Sequence, residues 1–519
     1  MQAEKRRLLI ISVFICVKYI GGLKMTDAKS VENIESLLKL SEALEAVGGV
    51  LLNSDFPCEN FCFTSIQTDS RLVVEKSLFV PLIGENQDGH LYVKSALSKG
   101  ASAVFISKKT SKNLLDDFKK EAENNKNVAF ILVENTMRAL QQAAGAYVRK
   151  FPRLIRCAVT GSSGKTTTKE IAASILSQKF SVIATKGNFN SETGLPLSVF
   201  NIRSCHELGL FEMGMNRVNE IGEIAEVFKP NYAIITNIGT AHIGILGSRQ
   251  NIASEKKKIF NYIDSFGAAF IPEKDDFASF LEKGVKGKVI KYGLGCDESV
   301  KIVVDEGLAG TVFSVDGVLM RLSLPGKYNF LNALAAIALA KHLGLTAQEI
   351  KAGIESLKPL GGRSVIKKGR FTVLEDFYNA NPDSMEKALD LCADTKTENK
   401  KIYVLGDMLE LGEKSEEEHA RIGEKAIHSD ADMIIFFGFE MNAAFEKAVE
   451  IAQKTTSLAD EKISSVRLIY IGNKDEEAIK DSAKEILDFA ENGDLIMLKG
   501  SRGMGLERLL PLIGMGGES

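Results

Sequence analysis

Strand-length apolar runs alternating with helical apolar spacings predict an α/β protein. A Gly-rich turn lies between one such run and a helix, and the 519 residues give room for about three domains. The boundaries read from the sequence are 1–25 for an extension or misassigned start and 26–127 for a small α/β N-terminal domain. They continue with 128–360 for a central domain on a parallel sheet and 361–519 for a Rossmann-like, doubly wound C-terminal domain. The 45% hydrophobic and 26% charged content is that of an ordinary globular chain. A net charge of −3 supplies no basic field for nucleic acid, so an anionic ligand has to be held by a local site. Seven scattered cysteines without a Cys-x-x-Cys pair offer neither a disulfide framework nor a zinc site. Cys58 and Cys62 read as thiols of a reducing compartment.

At the N-terminus, Lys5-Arg6-Arg7 precedes an apolar run, Leu8 to Val17, that is too short to cross a bilayer. Lys18 interrupts it and no small-x-small cleavage site follows, so no stable membrane insertion is expected. Ile34 to Val47 has helical spacing closed by Gly48-Gly49. Leu78 to Leu82 reads as a strand, Val93 to Leu97 as a helix and Ala101 to Ile106 as a strand. In the central domain, Leu154 to Val159, Leu208 to Phe211, Tyr232 to Thr236 and Ala268 to Ile271 read as strands. Helical patterns fall between them, as at Val218 to Phe228. Val300 to Leu324 breaks the alternation and predicts an antiparallel insertion, after which Leu331 to Leu343 is an Ala-rich helix ended by Gly344. Strands at Phe371 to Leu374, Ile402 to Leu405, Met433 to Phe437, Leu468 to Ile471 and Leu495 to Leu498 alternate with amphipathic helices in the third domain. Gly514 to Ser519 reads as a disordered tail.

The stretch Thr160-Gly161-Ser162-Ser163-Gly164-Lys165-Thr166-Thr167 joins the Leu154 strand to the helical pattern from Lys169 to Leu176. Strand, Gly-rich turn, Lys-Thr and helix form a phosphate-binding loop. Backbone N–H groups and the helix N-terminus face the anion, Lys165 reaches the terminal phosphates, and Thr166 offers a hydroxyl to Mg²⁺. Val159 stands where the usual spacing has its first glycine, so this is the shorter T-G-x-x-G-K-T form. Glu212 and Thr236-Asn237 close the next strands, with His242 in the loop beyond. A carboxylate and an imidazole there suit a metal held against a nucleotide. Taken singly, they read equally as a surface carboxylate and a satisfied loop histidine. Lys256, Lys257 and Lys258 form a charge run that reads by itself as a solvated helix face.

In order along the chain stand Thr68-Asp69-Ser70-Arg71, the phosphate loop, Gly187-Asn188-Phe189-Asn190-Ser191, Glu212-Met213-Gly214 and Ala241-His242. The Lys256 helix, Gly326 to Asn332, Gly362-Arg363, Asp376 to Pro382, Gly406 to Gly412 and Lys499 to Gly503 follow. From Ser30 to Leu510 the chain thereby resembles the Mur ligase family of bacterial cell-wall synthesis. The Tyr378 to Pro382 and Gly406 to Gly412 segments favour the dipeptide-adding member. The resemblance implies a cytoplasmic monomer, one three-domain chain whose site needs no partner. It implies ATP-driven amide synthesis with two Mg²⁺ ions, joining D-alanyl-D-alanine to a UDP-muramoyl-tripeptide through an acyl phosphate. Two alternatives stand beside it: a sibling Mur or polyglutamate-type ligase, and a P-loop protein in which the nucleotide only switches a binding surface.

Residue roles follow from the same resemblance. Gly161, Ser162, Ser163, Gly164, Lys165, Thr166 and Thr167 would hold ATP phosphates, Asn329 and Asn332 the adenine, and Arg363, Asp376 and Asn379 the nucleotide from the third domain. Thr166, Glu212, His242 and a carbamylated Lys256 would belong to the metal shells, and Lys165, Lys256 and His242 to catalysis. Ser70 and Arg71 resemble the uridine-diphosphate anchor, and Asn188, Asn190 and Ser191 the loop that positions the muramoyl-peptide. Lys499, Ser501 and Arg502 are assigned to the incoming dipeptide's carboxylate.

Overall fold

A computed structural model of the chain describes residues 36–54, 56–58, 61–358, 360–455 and 461–516. The readings for residues 1–24, the start of the Ile34 helix and the last residues of the Gly514 tail lie outside these. The first sheet has the order β1-β5-β4-β3-β2. Its strands are β1 (Val50–Leu51), β2 (Ser65–Gln67), β3 (Ser77–Phe79), β4 (Ala101–Ser107) and β5 (Ala129–Val133). All neighbours are parallel except β1, which runs antiparallel to β5. The division after residue 127 is displaced by this topology. β5 pairs with β4 from Ala103↔Ala129 to Ser107↔Val133 and belongs to the first sheet. Ala129, Phe130 and Ile131 are wholly buried, Ala129 and Ile131 in one core and Phe130 in another, as expected of a strand inside a sheet covered on both faces. The predicted helix at Ile34 to Val47 is, within the described residues, Leu40–Val47, closed by Gly48 at φ 58°.

The central sheet is parallel throughout, in the order β11-β10-β9-β6-β8-β7. It comprises β6 (Ile155–Thr160), β7 (Val182–Ala184), β8 (Leu208–Glu212), β9 (Tyr232–Ile235), β10 (Ala268–Pro272) and β11 (Lys288–Tyr292). Successive residues point to opposite faces, so each strand feeds two cores. Ala158, Phe211, Ala233 and Ala269 join the helices Thr136–Arg149 and Glu220–Phe228 on one face. Val159, Leu210, Ile234 and Phe270 join the helices Lys165–Leu176 and Lys327–His342 on the other. The second of these helices is buried on nearly every side, which accounts for its run of alanines. The predicted antiparallel insertion is β12 (Val300–Asp305), β13 (Thr311–Val315) and β14 (Val318–Leu322), packed through Phe313, Val315, Met320 and Leu322 onto that second core.

The third sheet has the order β15-β16-β20-β17-β18-β19. It comprises β15 (Val365–Lys368), β16 (Thr372–Asp376), β17 (Lys401–Gly406), β18 (Met433–Phe437), β19 (Arg467–Ile471) and β20 (Leu495–Lys499). Only β15 is antiparallel to its neighbour. Helices Pro382–Asp394, Ser415–Ile427 and Asn442–Lys454 cover one face, and Glu476–Phe489 with the segment Met504–Ile513 covers the other. The chain returns from β19 at one edge to insert β20 between β16 and β17. The carboxyl ends Asp376 and Lys499 therefore lie side by side where the winding reverses, the place at which open α/β sheets bind ligands.

Candidate active site

Strand ends from the central and third sheets meet at a cleft of about 620 Å³. The central sheet contributes Ser162 to Thr167, Glu212, Asn237, Asp275 and Tyr292. The third contributes Arg363, Asp376, Tyr378, Lys387, Glu410, Lys499 and Arg502. Two glycines of the phosphate loop are fixed by different close approaches. At Gly161 (φ 153°) an added Cβ would stand 1.8 Å from Thr236 Oγ1, and at Gly164 (φ 77°) one would stand 2.4 Å from Asn332 Oδ1. The loop is tied to the end of β9. Asn237 accepts the Ser163 N–H at 3.1 Å and donates to the Ser163 carbonyl at 3.0 Å, while Ser162 Oγ accepts the Gly239 N–H at 2.9 Å. Within the helix the Thr168 N–H is bonded back to Gly164. The amides of Lys165, Thr166 and Thr167 precede it and have no acceptor in their own helix.

Lys165 Nζ donates to the Gly161 carbonyl at 2.9 Å, and Lys256 Nζ reaches the same oxygen at 3.0 Å. The three consecutive lysines are not one solvated face, which corrects the reading made from the charge run. Each is turned about 100° from the last. Lys256 points inward and is 1% exposed. Lys257 donates to the carbonyls of Phe280 and Lys283, and Lys258 pairs with Glu255 at 2.7 Å. Burial drives the Lys256 amine well below the usual lysine range, and the neighbouring Lys165 ammonium presses the same way. Burial also lowers Lys165, with Glu212 opposing.

Glu212, at the end of β8, accepts from Thr166 Oγ1 at 2.8 Å with one oxygen and from Asn190 Nδ2 at 2.7 Å with the other. The phosphate loop and the Asn188–Ser191 loop therefore share one carboxylate. Asn188 and Ser191 both line the cleft, and Ser191 Oγ also accepts the Gly194 N–H at 3.2 Å where the short helix Gly194–Val199 begins. His242 (φ 66°) faces Glu410 across the cleft, Nδ1 to Oε2 3.0 Å, at an angle short of a well-directed hydrogen bond. Burial lowers the imidazole below its usual range, and the His242 contact lowers Glu410.

Asn329 and Asn332 sit behind the loop. Asn329 donates to the Pro325 carbonyl and accepts from Asn332 at 3.3 Å, so Asn332 is the one beside Gly164. Asp376 accepts the Ser364 N–H at 3.0 Å and Lys499 Nζ at 2.5 Å, so Lys499 is already engaged by a carboxylate. Arg363 lies 3.6 Å over the Tyr378 ring, and Arg502 lies 5.1 Å from the same ring. Asn379 also lines the cleft.

Five assigned residues stand outside the cleft lining: Gly161 and Lys256, whose contacts are given above, and Ser501, Ser70 and Arg71. Ser501 Oγ accepts the Leu409 N–H at 3.0 Å, and its own N–H bonds the Asp407 carbonyl, so it holds the Asp407–Leu409 turn instead of facing a ligand. Ser70 is buried in the first domain, and Arg71 is exposed, paired with Asp69 at 2.7 Å. Residues the sequence reading left without roles are Asn237, Lys387, Glu410 and Asp383, which accepts the Thr240 N–H and hydroxyl at 2.7 and 2.9 Å. Asn237 ends a predicted strand, Glu410 lies within Gly406 to Gly412 and Asp383 directly follows Pro382, whereas Lys387, a turn further along its helix, had no signal of its own. Among the described residues no three His, Cys, Asp or Glu side chains cluster as a metal cage. A Thr hydroxyl and a single carboxylate do suit Mg²⁺, which keeps waters and phosphate oxygens as its other ligands.

Residues 63–148 match the Mur ligase family catalytic domain, 159–340 the Mur ligase middle domain and 362–502 the Mur ligase glutamate ligase domain. The chain is 43% identical over 457 residues to the UDP-N-acetylmuramoyl-tripeptide–D-alanyl-D-alanine ligase of Treponema pallidum, covering 87% of this chain and 94% of the relative. To the Bacillus subtilis protein of the same name it is 33% identical, covering 90% and 96%. The crystal structure of MurF from Acinetobacter baumannii is similar with a TM-score of 0.80 at 28% identity, covering 92% of this chain and 99% of that one. The MurF ligase of Thermotoga maritima, in complex with ADP, is similar with a TM-score of 0.68 at 28% identity, covering 86% and 96%. Among the described residues no helix is long and apolar enough to cross a membrane.

Proposed function

The chain belongs to the Mur ligase family, and from that premise we propose how its cleft carries out the family's reaction. The protein is an ATP-dependent ligase that joins D-alanyl-D-alanine to UDP-N-acetylmuramoyl-tripeptide in peptidoglycan synthesis. The observation that carries this reading is the meeting of two sheets at one cleft. A phosphate loop forms one wall, and the cations of a second sheet form the other.

The tripeptide's terminal carboxylate attacks the γ-phosphorus of ATP. A P–O bond to that carboxylate forms, the bond to the β-phosphate oxygen breaks, and ADP leaves. The dipeptide's amine then attacks the acyl carbon, and inorganic phosphate departs with the C–O bond electrons as the amide forms. Anions must meet at both stages, so the site has to supply preorganised positive charge. The free amides of Lys165, Thr166 and Thr167, the Lys165 ammonium and Arg363 meet that need in our reading. Closure of the third domain's Tyr378, Glu410 and Arg502 over the loop excludes water from an acyl phosphate prone to hydrolysis.

Two Mg²⁺ ions fit the donor set, one at Thr166 and Glu212 and the other at His242 with Lys256. When bound, they would neutralise phosphate charge and polarise the phosphoryl oxygens. An ammonium is no metal ligand, but the burial and the Lys165 charge that depress Lys256 favour a neutral amine. A neutral amine adds CO₂, releasing one proton and leaving a carbamate with two acceptor oxygens. We assign that modification to Lys256. One chain lines the whole cleft, and we assign a monomer as the working unit.

With ATP, Mg²⁺, UDP-muramoyl-tripeptide and D-alanyl-D-alanine, phosphate release should require both peptide substrates. Mass spectrometry of the product should find the tripeptide extended by one dipeptide. Nucleotide turnover indifferent to the dipeptide would overturn the reading.

A further inference from the structure

Of the cations that line the cleft, Lys274 is exposed to water, and the others differ in what already engages them. Lys499 has Asp376, Lys165 has the Gly161 carbonyl, and Arg363 and Arg502 lie on the Tyr378 ring. Lys387 has much less. Its one hydrogen bond among the described residues is to Ser163 Oγ, at 3.4 Å, and that hydroxyl is already in contact with Asn237. No described carboxylate stands in an ion pair with it. Asp383 and Glu386 on its own helix and Asp275 beyond β10 face it more distantly, and Lys499 opposes them.

Its place is fixed from another sheet. Lys387 lies one turn beyond Asp383 on the helix Pro382–Asp394, so the two share a face. Asp383 is fastened to the Thr240 N–H and hydroxyl, and Gly239 leaves room for it, since an added Cβ there would stand 2.3 Å from Asp383 Oδ2. Just before the helix, Asn381 Nδ2 reaches the Ser162 carbonyl at 3.5 Å. With this end of the helix anchored beside the loop, the next turn carries an ammonium over the phosphate loop from a domain that does not contain the loop.

We propose that Lys387 is a phosphate-binding residue supplied across domains, pairing with the polyphosphate of the bound nucleotide when the third domain closes on the loop. This rests on the ATP reading above and adds to it the group that makes closure depend on the nucleotide's phosphates. A partly buried cation with one weak neutral partner is poised for an anion. Phosphate oxygens would give it charge-assisted hydrogen bonds about twice as strong as the neutral contact it has.

The test uses the full-length protein, its K387M, K387Q and K387R variants, and two probes: AMP and the non-hydrolysable β,γ-methylene analogue of ATP, with Mg²⁺. Calorimetric titration of K387M and K387Q should show the analogue bound about tenfold or more weakly than by the parent, with AMP unchanged. K387R, which keeps the charge, should recover most of the difference. Analogue affinity within twofold of the parent in both neutral variants would overturn the proposal. So would an equal loss for AMP and the analogue, because it would mean that Lys387 merely packs its helix. A parent protein that binds neither probe would overturn the ATP reading itself. If K387M fails to fold, K387Q decides by the same criteria, and K387R tests the charge alone.

Discussion

Replacing Gly244 with alanine tests whether the closed arrangement of the two sheets is the reactive one. A Cβ at this position would lie 2.6 Å from the Leu411 carbonyl carbon and 2.7 Å from the Gly412 nitrogen. Both are backbone atoms of the segment that carries Glu410, so no rotamer change relieves the overlap. Ordinary contact begins at 3.4 Å, which leaves the interface to open by about 0.8 Å. The His242–Glu410 separation, now 3.0 Å, would grow by a comparable amount. Overpacking of this kind costs about 1–3 kcal/mol, here charged against the closed state alone. That corresponds to a loss of about 5- to 150-fold in kcat/KM. Steady-state kinetics with both peptide substrates measure it, and the thermal midpoint should move little because the overlap is with backbone between the domains. A G244A enzyme within twofold of the parent would refute the reasoning, since the Gly244–Gly412 approach would then have no part in the reaction.

The remaining predictions concern the buried lysine and the histidine. Lys256→Ala should cripple ligation, and a small added carboxylate should restore part of it by standing in for the carbamate; unimpaired turnover would remove Lys256 from the site. His242 is held below its ordinary range chiefly by burial, with Glu410 pulling up. Neutral imidazole therefore persists to lower pH than in an exposed histidine, and activity that needs it is lost only as pH falls through that lowered value. Glu410→Gln removes the upward pull, so the acid limb of the kcat/KM profile should move to lower pH. A limb that moves upward would contradict the assigned pairing.

What could be read from the chain depended on where each residue sits. β4, β8, β9, β10 and β17 lie inside their sheets, and their apolar runs announced them. β1, β2, β7, β11 and β15 went unread, and each lies at a sheet edge, where one side meets water and the run is short or interrupted by charge, as in Lys288–Tyr292. β5 is the exception, an apolar strand hidden by a domain boundary placed just ahead of it. The phosphate loop was legible because its glycines and Lys-Thr are local. The Asp383–Thr240 contact was not, because its partners lie 143 positions apart and are common loop residues. Lys256 was legible only in part. Resemblance singled it out from three identical neighbours, but its burial comes from helix rotation against the Gly161 strand end.

The carboxylate of Glu212 bears on how far this enzyme can be rebuilt from parts of its relatives. One of its oxygens is bound to Thr166 and the other to Asn190. A graft that exchanged residues 187–191 to alter peptide choice would also remove a donor from a group that orients the phosphate loop. The two segments are adjoining halves of one inheritance and are better transplanted together with the β8 end that joins them.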